Sequence, residues 1–121
     1  MSKLKTAISA AGLALALNGC SHPEPKTVRL NDWVVTISEN DKGENLRMHP
    51  ENMDGDKCYI EAHNFHKYYN QRRGKYMETF DGVKFHHEGN PVCASKIALY
   101  QDNSAIIDIY EHARKAEPEN K

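Results

Sequence analysis

No stretch of this chain is both long enough and apolar enough to cross a bilayer. Its one greasy run, Thr6 to Leu17, is about a dozen uncharged residues dominated by Ala and Leu, where a spanning helix needs about 20. Also missing are a phosphate-binding glycine loop, a dinucleotide fingerprint and a nucleophile elbow, and no Ser or Cys has a convincing base beside it. A carboxylate pair for acid and base work cannot be picked from 17 scattered acidic residues. These absences argue against an enzyme. Basic residues are too dispersed to form the stripe that nucleic acid requires. The one dense basic cluster, Arg72, Arg73 and Lys75, has a plain explanation as charge at a helix end. There is no internal repeat and no low-complexity block.

The front of the chain is organised. Lys3 and Lys5 precede the apolar run, and a charged n-region before a core of roughly 7 to 15 apolar residues is the layout of an export signal. The run ends at Leu17-Asn18-Gly19-Cys20, which resembles the lipobox of bacterial lipoproteins. The resemblance covers only about the first 21 residues. It implies a cleaved signal peptide over residues 1–19, a diacylglyceryl group on the thiol of Cys20 and a fatty acid such as palmitate on the new N-terminus. It also implies anchoring to a membrane without spanning it, because each buried methylene contributes about 0.8 kcal/mol and two or three chains hold stably. Ser21 directly after the cysteine favours the outer membrane, with the domain facing the periplasm. An ordinary cleaved signal with Cys20 incidental is the simpler alternative.

Three cysteines are an odd number, which in an exported protein leaves one thiol unexplained. With Cys20 lipidated, Cys58 and Cys93 remain and face an oxidising compartment, where a disulfide is their natural product. Closing a loop of about 36 residues is worth roughly 4 kcal/mol on the chain-entropy estimate. The alternative is two reduced core cysteines.

Of the 16 basic side chains, Lys3 and Lys5 leave with the signal, so 14 face 17 acidic ones and the mature chain carries −3. Residues 20–27 contain SHPEPKT, with two prolines and nothing apolar to pack, and form a lipidated N-terminus and tether. Residues 28–115 are the length of one small domain, and residues 116–121 are a polar, frayed tail.

Within the domain, Trp33, Val35 and Ile37 alternate with Val34, Thr36 and Ser38, the period of a half-buried strand. ENDKGEN supplies turn residues, and Leu46 and Met48 alternate again, predicting a hairpin. Cys58, Ala62, Phe65 and Tyr69 fall at steps of four, three and four, one face of a helix started by Asp54 or Asp56 and ended by Gly74. Asp81-Gly82 between KYMETF and VKFHHE predicts a two-residue hairpin turn pairing Phe80 with Val83, Glu78 with Phe85 and Tyr76 with His87. Val92 to Tyr100 is read as a strand, although Asn90 as cap and Pro91 at the first position suit a helix as well. Ile106 to Tyr110 is a last strand and Glu111 to Lys115 a helical end. The sum is an α+β single domain: a mostly antiparallel sheet of about six strands, one main helix and one disulfide.

Histidine is the unusual abundance: seven, namely His22, His49, His63, His66, His86, His87 and His112. On the predicted helix His63 and His66 share a face. With either His86 or His87 they can form a three-histidine zinc or copper site, whereas ordinary surface histidines are the plainer account. NMDGDK, Asn52 to Lys57, has an EF-hand's oxygens at positions 1, 3 and 5, but Lys57 stands where glycine is required and His63 where glutamate is. Aromatics crowd the middle of the chain. Tyr68 and Tyr69 adjoin Arg72 and Arg73, the residue mixture enriched at protein contact surfaces, with core packing as the alternative. The expected function is a lipid-anchored binding module of the cell envelope, either an accessory, an inhibitor or an exclusion lipoprotein, with an envelope protein as partner. A histidine-based metal-binding lipoprotein is the second expectation.

Overall fold

The computed structural model describes residues 24–118. The signal segment, the lipobox with Cys20, His22 and the last three residues therefore lie outside the described residues. The domain is an antiparallel meander of five strands in the order of the chain, followed by two helices packed on one face. These are β1 (Lys26–Leu30), β2 (Trp33–Asn40), β3 (Gly43–Pro50), β4 (Tyr59–Asn70), β5 (Lys75–His86), α1 (Pro91–Ala98) and α2 (Asn103–Lys115).

The hairpin predicted around ENDKGEN forms, with Val35 opposite Met48 and Ile37 opposite Leu46. All four side chains are buried, as a pleated strand with one covered face requires. β1 pairs outside it through Val28↔Val35 and Leu30↔Trp33, so the sheet starts at Lys26, inside the segment read as tether. Between β1 and β2 Asn31 takes a left-handed φ of 58°, which Asn tolerates better than most residues.

The helix expected from Cys58 to Gly74 is instead β4 and a turn. Ile60 and Ala62 alternate into the core as strand residues should, but the next core contact is Phe65, one residue out of phase. The cause is Asn64, in the left-handed region at φ 61°. A step of two followed by a step of three puts apolar residues where a helix would. β5 changes phase at the same level: Phe85 and Val83 pack on the core, then Phe80. The register therefore runs unbroken from Tyr59↔His86 to His63↔Gly82 and from Phe65↔Phe80 to Asn70↔Lys75.

The Asp81-Gly82 turn does not form, and neither do the pairs Phe80 with Val83, Glu78 with Phe85 or Tyr76 with His87. Both residues lie within β5. Turning there would give two short strands, whereas running on gives eleven cross-strand pairs with β4. The real turn is residues 71–74, where Gly74 has φ 65° and its N–H donates to the Asn70 carbonyl at 2.8 Å. A left-handed glycine was expected there as a helix cap; it closes a hairpin instead.

Val92 to Ala98 is helical, within α1, and Leu99 and Tyr100 form the turn after it, so the segment is not a strand. The Asn90 side chain accepts from the N–H groups of Val92 at 2.9 Å and Cys93 at 3.1 Å, and Pro91 occupies the first turn, where its missing N–H costs nothing. Ile106 to Tyr110 likewise belongs to a helix. Ile106, Ile109, Tyr110 and Ala113 form one buried face of α2, and the helical pattern outweighs their β-branched composition. Five strands and two helices thus replace about six strands and one helix.

The disulfide is present, with Cys58 and Cys93 bonded across 35 positions and their Cα atoms 5.9 Å apart. Its ends are exchanged relative to the expectation: Cys58 leads into a strand and Cys93 sits in the first turn of a helix. The core lies between the inner sheet face and the helices, with Val35, Met48, Ile60, Ile97 and Ile106 at or near zero exposure. Tyr110 packs on Phe65 and Phe80, with ring centroids 4.5 and 5.2 Å away.

The two strands of the phase change are braced by β3. Gly43 has φ 136°, and a Cβ there would stand 3.2 Å from the Phe65 carbonyl oxygen. The Asn45 side chain accepts the Asn64 N–H at 3.0 Å. Gly43→Ala combines backbone strain with that close approach and is expected to cost about 1–3 kcal/mol, measurable as a lower urea midpoint at unchanged slope.

Candidate functional site

The pairing of β3 with β4 spans only Met48↔Ile60 to Leu46↔Ala62. Beyond the phase change, β4 and β5 continue as a two-stranded arm over residues 66–79. Alternation along the arm gives it two aromatic faces. On the face continuous with Phe65 and Phe80, Tyr69 lies opposite Tyr76, with ring centroids 5.2 Å apart and edge to face. Behind this pair Lys67 Nζ is 3.6 Å from a Glu78 carboxylate oxygen. On the other face Tyr68 lies opposite Met77, and His66 opposite Thr79. The tyrosines are well exposed: Tyr68 43%, Tyr69 52% and Tyr76 66%.

Arg72 and Arg73 are exposed in the turn, so their charge caps a hairpin and not a helix end. Asn70 shapes that turn, its side chain accepting the Arg73 N–H at 3.1 Å. From His66 to Tyr76 the arm carries Lys67, Arg72, Arg73 and Lys75 and no acidic residue. The four sequence-derived binding residues, Tyr68, Tyr69, Arg72 and Arg73, thus share one projecting element. Tyr76 belongs with them and was missed, because the Asp81-Gly82 turn assigned it a different partner. The available signal was composition: three tyrosines and a phenylalanine between residues 59 and 69 favour a strand.

The histidines are placed differently from the expectation. His63 and His66 are on a strand, not one helix face, and each of several imidazoles has its own carboxylate. His63 Nε2 is 3.5 Å from Glu61, His66 Nε2 2.8 Å from Asp81 and His86 Nε2 3.1 Å from Glu88. His87 Nδ1 accepts the Gly89 N–H at 3.1 Å. Among the described residues no group of three His, Cys, Asp or Glu side chains is placed to hold a metal ion.

On the outer sheet face, Tyr59 is sandwiched between the Arg47 guanidinium, 4.0 Å from its ring centroid, and the stacked His86 ring at 4.9 Å. Arg47 also pairs with Glu61 and donates to the Gly55 carbonyl at 2.9 Å. Its hydrogen-bonding capacity is engaged within the fold. This cluster holds the 51–58 loop against the sheet.

A second exposed feature lies on the other side of α2. Leu30, Leu99, Tyr100, Ala105 and Ile109 line an open groove of about 630 Å³, with Asp108 and His112 on its rim. Leu99 is 72% exposed. The Tyr100 hydroxyl is held above its ordinary value by burial and by the nearby Asp32 and Asp108. Lys96 donates to Asp32 at 2.9 Å and keeps that carboxyl below its usual range. No helix of the described residues is long and apolar enough to cross a membrane. No protein-family model matches the chain, and no curated protein or solved structure matches it significantly.

Proposed function

We propose that this chain is a lipid-anchored binding module of the cell envelope, held at the outer membrane through Cys20 and facing the periplasm, which acts by contact and not by catalysis. The observation that carries the binding half is the arm: three exposed tyrosines on a two-stranded projection with an arginine pair at its tip. Exposed aromatics are costly to leave in water and combine large contact area with few rotatable bonds. Gathered with arginine, they have the composition of a contact surface. The address rests on the lipobox resemblance at Leu17 to Cys20 and on the cysteine count, which makes Cys20 the odd one beside a bonded pair.

One set of cells tests both halves. The wild-type chain is expected in the outer-membrane fraction and the Cys20→Ser chain in the soluble periplasm; recovery of both in the cytosol rejects the address. A photo-crosslinking residue in place of Tyr76 is expected to give a protein adduct in those membranes, while the same residue in place of the exposed Glu39 gives none. Equal labelling at both positions, or none at either, rejects the arm as the contact surface.

A further inference from the structure

Among the described residues five large apolar side chains are exposed, Tyr68, Tyr69, Tyr76, Val92 and Leu99, and they are not scattered. Three are on the arm, and the other two are on or just past α1, with Leu99 lining the groove. The arm is made by the last two strands of the sheet, and the groove is bounded by Leu30 of β1, at the opposite edge. At about 4.8 Å per strand these edges are roughly 19 Å apart. Since the arm continues the ladder of β4 and β5, it cannot fold back into its own groove.

The two surfaces are complementary. The outer part of the arm is basic, with four cations and no acid between His66 and Tyr76, and nearer its root Lys67 pairs with Glu78. The groove has an apolar floor and one lining carboxylate, Asp108, with Asp32 close enough to the Tyr100 wall to act on its hydroxyl. Asp32 pairs with Lys96, while Asp108, which lines the groove, pairs with no lysine or arginine among the described residues and stands 3.7 Å from His112. A tyrosine hydroxyl can donate to a carboxylate while its ring covers apolar surface.

We infer that the Tyr69–Tyr76 face of the arm of one copy docks in the Leu30–Leu99–Tyr100–Ile109 groove of the next, giving a head-to-tail assembly of this chain. This deepens the binding reading by naming a second copy as the arm's partner. Because donor and acceptor surfaces differ, the contact is heterologous and each pair keeps one free arm and one free groove. A bilayer is a poorer fit for the arm. In an element that enters lipid the apolar groups lead and the cations trail at headgroup level, whereas here residues 70–75, the leading end, are all polar, charged or glycine. The docking face carries two tyrosines, Tyr69 and Tyr76, and at about 150–250 Å² each they supply roughly 300–500 Å² on the arm side, below the area of a stable pair. The association is therefore weak and sensitive to concentration.

The test uses the full chain with Cys20→Ser, followed by sedimentation from about 10 μM to about 1 mM. The average mass is expected to rise with concentration past that of a dimer. Tyr69→Ser/Tyr76→Ser and Leu99→Glu alter exposed residues and leave the melting temperature close to wild type, but each weakens association about tenfold or more. Mixing these two variants in equal amounts restores a dimer and nothing larger, since only one intact arm and one intact groove can meet. Mass that stays monomeric throughout overturns the inference, as does association that survives both variants or a mixture that remains monomeric. A monomeric chain that sediments with phosphatidylglycerol vesicles overturns it in favour of a membrane. A monomeric chain whose Tyr76 crosslinks a different protein also overturns it while leaving the binding-module reading intact.

Discussion

Reducing the Cys58–Cys93 bridge, or replacing both residues with Ala, is expected to remove roughly 4 kcal/mol of stability. The bridge closes 35 positions of chain, and on the chain-entropy estimate a loop of that length costs the unfolded state about that much freedom. For a domain of this size, with total stability of about 5–15 kcal/mol, the loss decides whether it is folded at all. The bridge ties β4 to α1, so its removal frees the only helix-to-sheet covalent link among the described residues. Urea titration with and without reductant measures the effect as a fall in midpoint; a midpoint unchanged by reduction would show that core packing alone holds α1. The double Ala variant separates loss of the crosslink from any side reaction of free thiols, because it has none at these positions.

The second large effect is at Tyr110, which is 1% exposed. Its ring fills the space between Phe65 and Phe80, where both strands change phase, and its hydroxyl donates to a Glu44 carboxylate oxygen on β3. Tyr110→Ala leaves a cavity under the root of the arm and is expected to cost about 3–5 kcal/mol. Tyr110→Phe keeps the ring and loses only the hydrogen bond, for about 1–2 kcal/mol. The two variants separate packing from polar contributions at one position.

Tyr110 also carries a pH signature. Burial, followed by the Glu44 contact, raises its hydroxyl well above the ordinary tyrosine value. The folded state therefore holds this proton at pH values where the unfolded chain has released it. The associated stability is fully present below about pH 10 and is lost as pH rises from there towards the raised folded value, by up to about 1.4 kcal/mol per pH unit. Tyr110→Phe is expected to flatten this alkaline fall in thermal melts between pH 9 and about pH 11. Identical alkaline slopes in wild type and variant would mean that the phenol is not held protonated by the fold.

Much of the candidate arm was legible as composition and little of it as geometry. Tyr68, Tyr69, Arg72 and Arg73 are adjacent in sequence, so any structure keeps them near one another. Tyr76 joins them only through the cross-strand pair with Tyr69, and no local rule specifies that pairing when Asp81-Gly82 offers a competing turn. The histidines illustrate the converse: a spacing that groups His63 and His66 on a helix means something else on a strand, where each finds a different carboxylate.

By itself the sequence determined the elements whose signals are local. The β2–β3 hairpin follows from strict alternation around ENDKGEN, the α1 cap from Asn90-Pro91 as one of two readings, and the pairing of Cys58 with Cys93 from the expectation that Cys20 is lipidated, which leaves two cysteines for one bond. Only the tertiary structure decided that residues 59–70 are a strand. Asn64 in a left-handed conformation and the matching phase change in β5 shift the apolar residues by one, and that shift imitates a helical period. The long ladder between β4 and β5 likewise overrode the Asp-Gly turn. Backbone pairing between segments distant in sequence outweighs a turn preference worth a fraction of it, and such pairing leaves no periodic trace in either segment read alone.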